Sequence, residues 1–201
     1  DSSTSRGLGD VYKRQGIDNS FDMLDMALER EDDRILYLMQ DMREFGPGEK
    51  VSAVVSACDS INYILEPEDL QAVFFCVSES LKEGGIFIFD INTPYKYEVL
   101  MADNTIAENR DEGSFIWDNY YDADEKINEY DLTLFIKEQS EDEDDIYKKF
   151  EETHFQRCYE ISELKELLEQ SGLVFDAVYD AYTDDQVKCD SEKVTVIAHK
   201  A

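Results

Sequence analysis

The side chains best placed for chemistry in this chain are acids that follow short apolar runs. Asp18 stands in Gly16-Ile17-Asp18, where a helix is expected to open. Asp41-Met42 follows the run Ile35–Met39, and Cys58-Asp59-Ser60 follows Val51–Ala57. In a parallel α/β sheet the carboxyl ends of the strands line one crevice, and ligands bind there. A carboxylate at the first strand end can accept both hydroxyls of a ribose. A carboxylate with an apolar neighbour at the second can hold an adenine edge and cover its face. The order predicts a nucleoside-cofactor site whose glycine-rich half is missing from the front. Taken alone, Asp18 reads as a helix N-terminal acid favoured by the dipole.

Composition bounds the rest. The 201 residues suit one domain, or one domain with an insertion. Lys and Arg number 19 against 48 Asp and Glu, a net charge of −29, so a nucleic-acid partner is disfavoured. No run approaches the roughly 20 apolar residues of a membrane span. No signal peptide is recognisable. Cys58, Cys76, Cys158 and Cys189 form no C-x-x-C pair, and with only His154 and His199 there is no zinc spacing. Free thiols in a cytoplasmic protein, with no metal, are the expectation.

Asp1–Gln15 reads DSSTSRGLGDVYKRQ. A parallel strand before Gly16 should be a near-continuous apolar run, and Lys13-Arg14-Gln15 is polar. The segment resembles a translated sequencing-adapter tract and is set aside as a non-native or disordered tail. Its Gly7-Leu8-Gly9 is no cofactor loop. That loop precedes the ribose acid by about 20 residues, whereas Gly9 lies nine positions before Asp18.

The elements that must position these groups follow from periodicity. Asn19 or Ser20 caps a helix reaching about Arg30, with Phe21, Leu24, Ala27 and Leu28 as its apolar stripe. Ile35–Met39 and Val51–Ala57 read as strands, the second buried on both faces. Gly46-Pro47-Gly48 is a turn. Pro67 opens a helix over Glu66–Leu81 that ends at Gly84-Gly85, and Ile86–Ile91 is a strand. Ser114–Tyr121, Glu129–Glu138 and Tyr147–Tyr159 alternate as antiparallel strands do, with a solvated turn at Ser140–Asp145. A helix over Ile161–Ser171, closed by Gly172, precedes strands at Leu173–Tyr182 and Lys193–His199.

Four segments carry a resemblance: G-I-D-N-S-x-x-M-L, Q-D-M-R-E-F, V-V-S-A-C-D-S-I-N-Y-I-L and S-L-K-E-G-G-I-F-I-F-D-I-N-T-P. In order, they resemble the motifs of class I S-adenosylmethionine-dependent methyltransferases. The closest likeness is to a small bacterial subgroup with an antiparallel insertion after the fifth strand. The resemblance implies an α/β, Rossmann-like domain over 16–201 with the insertion at 112–160. It implies S-adenosylmethionine as cofactor. Asp18 would bind the ribose hydroxyls with Asn19 beside them. Asp41 would accept from the adenine amino group, Met42 would pack on the ring, and Cys58, Asp59 and Ser60 would flank the departing methyl group. The family's first strand and D-x-G-x-G-x-G loop are not found, so the resemblance implies an N-terminally truncated domain. The missing strand would lie between those ending at Asp18 and Ala57, and the chain is expected to fold poorly.

Methyl transfer from a sulfonium needs a general base only when the acceptor must lose a proton, so few residues need be catalytic. His154 is the base candidate by type, with Tyr95 near the crevice mouth as a second. Alternation groups His154 with Glu152 and Gln156 on one strand face, and Thr153, Phe155 and Arg157 on the other. An ordinary sheet histidine is the plainer reading. Trp117, Tyr120, Tyr121 and Tyr130 either line an acceptor pocket or pack the insertion's core. Arg157 either binds an acidic acceptor or pairs with a surface carboxylate. The expected activity is methyl transfer to a small molecule. The rivals are a nicotinamide-dependent oxidoreductase, which would not explain Asp41-Met42, and a non-catalytic acidic interaction module.

Overall fold

The computed structural model describes residues 14–30, 34–138 and 146–201. Strand β1 (Arg14–Asp18) runs parallel to β2 (Ile35–Met39), with Asp18 level with Met39. Helix α1 (Phe21–Leu28) connects them. The Ser20 Oγ accepts from the Met23 amide at 3.3 Å, and Ser20 N–H donates to Asp18 Oδ1 at 2.8 Å. Arg14 and Gln15, set aside with the tail on polarity, belong to β1. Ladder pairing places them there, and Gln15 Nε2 donates to Pro47 O at 2.9 Å. Asp1–Lys13, with Gly7-Leu8-Gly9, lies outside the described residues.

A second sheet has the order β3-β4-β10-β9. Strand β3 (Val51–Ser56) is parallel to β4 (Leu81–Asn92), and β10 (Lys193–Lys200) pairs antiparallel with both β4 and β9 (Leu173–Asp180). Among the described residues no ladder joins β1 or β2 to β3. β3 is therefore an edge strand rather than one buried on both faces. Ser52 and Ala53 are exposed, and Val55 is 66% exposed.

The core lies between the second sheet and its helices. Leu70, Phe74 and Val77 of α2 (Pro67–Ser80) pack with Phe87, Phe89 and Ile91 of β4, and with Leu164 and Leu168 of α3 (Ile161–Gln170). Phe74 meets Phe87 edge-on at 5.9 Å, a geometry that suits the ring quadrupoles. The chain turns from α2 directly into β4 at Leu81, before Gly84-Gly85, because Leu81 pairs with Val51. Helix α1 has no buried residue, and Phe21 and Leu28 of its apolar stripe are exposed.

A third sheet is an antiparallel meander of β5 (Thr105–Arg110), β6 (Gly113–Asp122), β7 (Ile127–Glu138) and β8 (Ile146–Arg157). It starts at Thr105, ahead of the expected boundary at 112, because TIAENR lacks the alternation that reveals its partners. Its centre holds a reciprocal amide pair: Asn119 Nδ2 donates to Asn128 Oδ1, and Asn128 Nδ2 to Asn119 Oδ1, each at 2.9 Å. The expected turn at Ser140–Asp145 lies outside the described residues. No helix among the described residues is long and apolar enough to cross a membrane.

Candidate active site

The acids at the carboxyl ends of β1 and β2 sit side by side, since the Gln40 amide donates to Asp18 O at 3.1 Å. Asp18 and Asn19 are exposed, and one carboxylate oxygen of Asp18 is used in capping α1. Asp41 is held by its own neighbour. Its Oδ1 accepts from Arg43 N at 2.9 Å and Nε at 3.0 Å, and its Oδ2 from Arg43 Nη2 at 2.7 Å. These bonds bring its pKa down to about 2. Met42 is half-buried against the main core.

At the end of β3 the chain makes a left-handed turn through two non-glycine residues, Cys58 (φ 61°) and Asp59 (φ 52°). Side chains strain that conformation, and such turns persist only where surrounding contacts impose them. Here the Asp59 N–H donates to Asp90 Oδ2 at 3.2 Å. The Asp59 carboxylate accepts from Asn92 Nδ2 at 3.2 Å, Gln156 Nε2 at 2.8 Å and Lys193 Nζ at 2.8 Å. Lys193 also reaches Asp90 at 2.9 Å, and Tyr182 Oη donates to Asp90 at 2.8 Å. Burial acts to raise the Asp59 pKa, but the bonds from Lys193 and Gln156 outweigh it and the net shift is downward. Burial likewise acts to lower the Lys193 pKa, and its two carboxylates raise it instead. Lys96, donating to Asn92 Oδ1 at 3.0 Å, is lowered chiefly by burial. Cys58 is exposed, and Ser60 Oγ donates to Ala57 O at 2.7 Å.

The short 3-10 turn Ser60–Tyr63 carries this strand end to the third sheet. Tyr63 Oη lies 2.6 Å from Tyr130 Oη and 3.2 Å from His154 Nδ1. His154 Nε2 lies 3.0 Å from Glu152 Oε2. The His154 and Tyr130 rings stack at 4.7 Å, and Trp117 packs on Tyr130 at 4.6 Å. With Nε2–H donating to Glu152, Nδ1 presents its lone pair towards Tyr63. Burial is the main cause that pushes the Tyr130 pKa up.

Other candidate residues fall elsewhere. Tyr95 lines a cavity of about 230 Å³ with Tyr159, Val187 and Cys189. Tyr121 stacks on buried Tyr97 at 5.8 Å, and both Tyr121 and Trp117 pack against the cluster of Tyr97, Met101 and Cys158. Arg157 points to the β8 face opposite His154, donating from Nη1 to Leu65 O at 3.3 Å, with Nη2 3.6 Å from Glu163. The residues that periodicity missed are Tyr63, Asp90, Gln156 and Lys193. Their only sequence signal is position, since Asp90 ends a strand and Gln156 shares the His154 face.

Acids at successive parallel strand ends, an antiparallel β10–β9 edge and a meander inserted after β4 define a class I, Rossmann-like methyltransferase fold. No protein-family model matches the chain. It is 33% identical over 193 residues to YqeM of Bacillus subtilis (strain 168), a protein named as a methyltransferase; the match covers 94% of this chain and 76% of that one. A solved S-adenosylmethionine-dependent methyltransferase from Clostridium acetobutylicum ATCC 824 superposes with a TM-score of 0.85 at 27% identity, over 93% of this chain and 74% of that one. A shorter match, 35% identity over 92 residues, covers 46% of this chain. It falls on 37% of the Streptomyces venezuelae dTDP-3-amino-3,4,6-trideoxy-alpha-D-glucopyranose N,N-dimethyltransferase. The chain belongs to the S-adenosylmethionine-dependent methyltransferases.

Proposed function

We propose that the protein methylates a nitrogen or oxygen of a small molecule, with His154 as the base that draws off the acceptor's proton through Tyr63. The observation that carries this reading is the hydroxyl of Tyr63. It joins the Cys58–Ser60 strand end, where the donor methyl is expected, to the His154–Glu152 pair. The small-molecule acceptor is supported by the amino-sugar relative's name.

The residues present fit the cofactor. Asp18 keeps a carboxylate oxygen at the exposed strand end for the ribose hydroxyls, with Asn19 beside it. Asp41, ionised and paired with Arg43, stands at the strand end where the adenine amino group is expected, and Met42 offers an apolar flank. The exposed Cys58, the Asp59 turn and Ser60 form the floor at the methionine end. The cofactor supplies an electrophilic sulfonium methyl for an in-line displacement.

The chain's own work is positioning and proton removal. The Tyr63 hydroxyl, which reaches His154 Nδ1 at 3.2 Å, is placed to take the acceptor's X–H proton while handing its own to Nδ1, and a methyl group from the bound cofactor would replace that proton on X. Glu152, on Nε2–H, stabilises the resulting imidazolium. Tyr130 and Trp117 hold the imidazole plane by stacking. Trp117, Tyr121 and Arg157 serve the acceptor sheet through packing rather than direct contact, and Tyr95 belongs to a separate cavity.

Calorimetric titration of S-adenosylhomocysteine tests the donor site. Saturable binding that Asp41→Ala weakens about tenfold supports it, and binding indifferent to Asp41 counts against it. With S-adenosylmethionine and a panel of small amines and alcohols, His154→Gln is expected to lower kcat by about 10²–10⁴. A His154→Gln enzyme with unchanged kcat removes the base from the mechanism.

A further inference from the structure

Resting on that reading of the donor site, we propose that Gln156 is a positioning residue that fastens the donor floor to the acceptor sheet. It sits on the β8 face that carries Glu152 and His154, and it is 3% exposed. Both of its polar atoms are committed. Nε2 donates to Asp59 Oδ2 at 2.8 Å, and Oε1 accepts from Tyr97 Oη at 3.0 Å. Tyr97 in turn accepts from Asn92, which also donates to Asp59. Gln156 therefore closes a ring of bonds around the carboxylate of a left-handed residue.

The consequence lies at the Cys58–Asp59 turn. Two successive non-glycine residues at positive φ carry backbone strain. That strain is borne only because donors from several elements hold the Asp59 carboxylate. Asn92 comes from β4, Lys193 from β10, and Gln156 from β8. The charged groups around Asp59 are Lys193, Asp90 and Lys96. Of the three direct donors, Gln156 alone lies on the sheet that bears the base. Its bond sets the spacing between the transferred methyl and His154, separately from the bond that Asn62 Nδ2 donates to Arg157 O (2.8 Å), which ties the same segments.

The turn has a built-in probe. Cys58 and Cys189 are both exposed, while Cys158 is buried. Alkylation by iodoacetamide, read peptide by peptide by mass spectrometry, compares Cys58 with Cys189 as an internal reference. No cofactor is needed, so a failure here is separable from a failure of the donor-site reading. In Gln156→Leu the turn relaxes, and the Cys58 to Cys189 rate ratio is expected to change about fivefold or more with Cys158 still protected. In Gln156→Glu two carboxylates face each other, so the ratio departs from wild type at pH 8. It returns towards wild type at pH 5.5, where the pair shares a proton. If Gln156→Leu also exposes Cys158, the Gln156→Glu comparison decides. A ratio within twofold of wild type in both variants, or a Gln156→Glu change that persists at pH 5.5, overturns the proposal.

Discussion

Lys193→Met removes the cation that bridges Asp59 and Asp90. The lysine is 18% exposed at its side chain, and the two carboxylates are 24% and 2% exposed. Removing one partner of a buried ion pair costs about 3–5 kcal/mol, because the other charge is left uncompensated. The lower end applies here, since Asp59 keeps Gln156 and Asn92 and Asp90 keeps Tyr182 and the Asp59 amide. At roughly 2–4 °C per kcal/mol for a domain of this size, the melting temperature should fall by about 6–12 °C at pH 8.

The pH dependence has a definite sign. In the wild type the Asp59 pKa is depressed, so its contribution is present above the unfolded value near 3.9 and lost as pH falls through the lower folded value. In the variant two carboxylates meet without a cation, and one takes up a proton well above that range. The variant therefore recovers as pH falls, in a range where the wild type gains nothing from this site, and the gap between them narrows. Differential scanning fluorimetry at pH 8, 7, 6 and 5 measures this. A gap below about 2 °C at pH 8, or one that does not shrink towards pH 5, refutes the reasoning.

Asn128→Leu leaves the buried Asn119 carbonyl oxygen without its donor, and urea unfolding should show a loss of about 1–3 kcal/mol. A Cβ added at Gly113 would lie 2.5 Å from Phe135 O, a backbone atom that cannot swing away. Gly113→Ala should therefore cost about 1–3 kcal/mol in the same assay, and wild-type stability would show that the β6–β7 ladder yields. Tyr63→Phe keeps the ring but deletes the hydroxyl between Tyr130 and His154. It should lower methyl transfer about tenfold and leave S-adenosylhomocysteine affinity unchanged, so a fall in affinity alone would contradict it.

Much of the fold is legible along the chain. Ile35–Met39 reads as a strand because an apolar run of that length has no other stable use. Ser20 and Gly172 mark helix ends through local backbone chemistry, and β6, β7 and β8 announce themselves by alternation. These are short-range effects, and each residue carries its own signal. Asp18 and Asp41 are legible as neighbours because a parallel connection brings their two strand ends to one edge.

Other features depend on partners that no local pattern specifies. Val55 is apolar and exposed because β3 has a strand on only one side in the described residues. Arg14 and Gln15 are polar and lie in a strand because β2 offers them a ladder. Glu152, His154 and Gln156 share a face by period alone, but that face is chosen by Asp59, 97 residues from Gln156. Lys193 meets Asp59 across 134 residues. The sequence determined which elements form and which acids stand at their ends, since those follow from neighbours along the chain. Only the tertiary structure decided which cation and which amides meet Asp59, because electrostatic pairing and hydrogen bonding act through space once the sheets have docked.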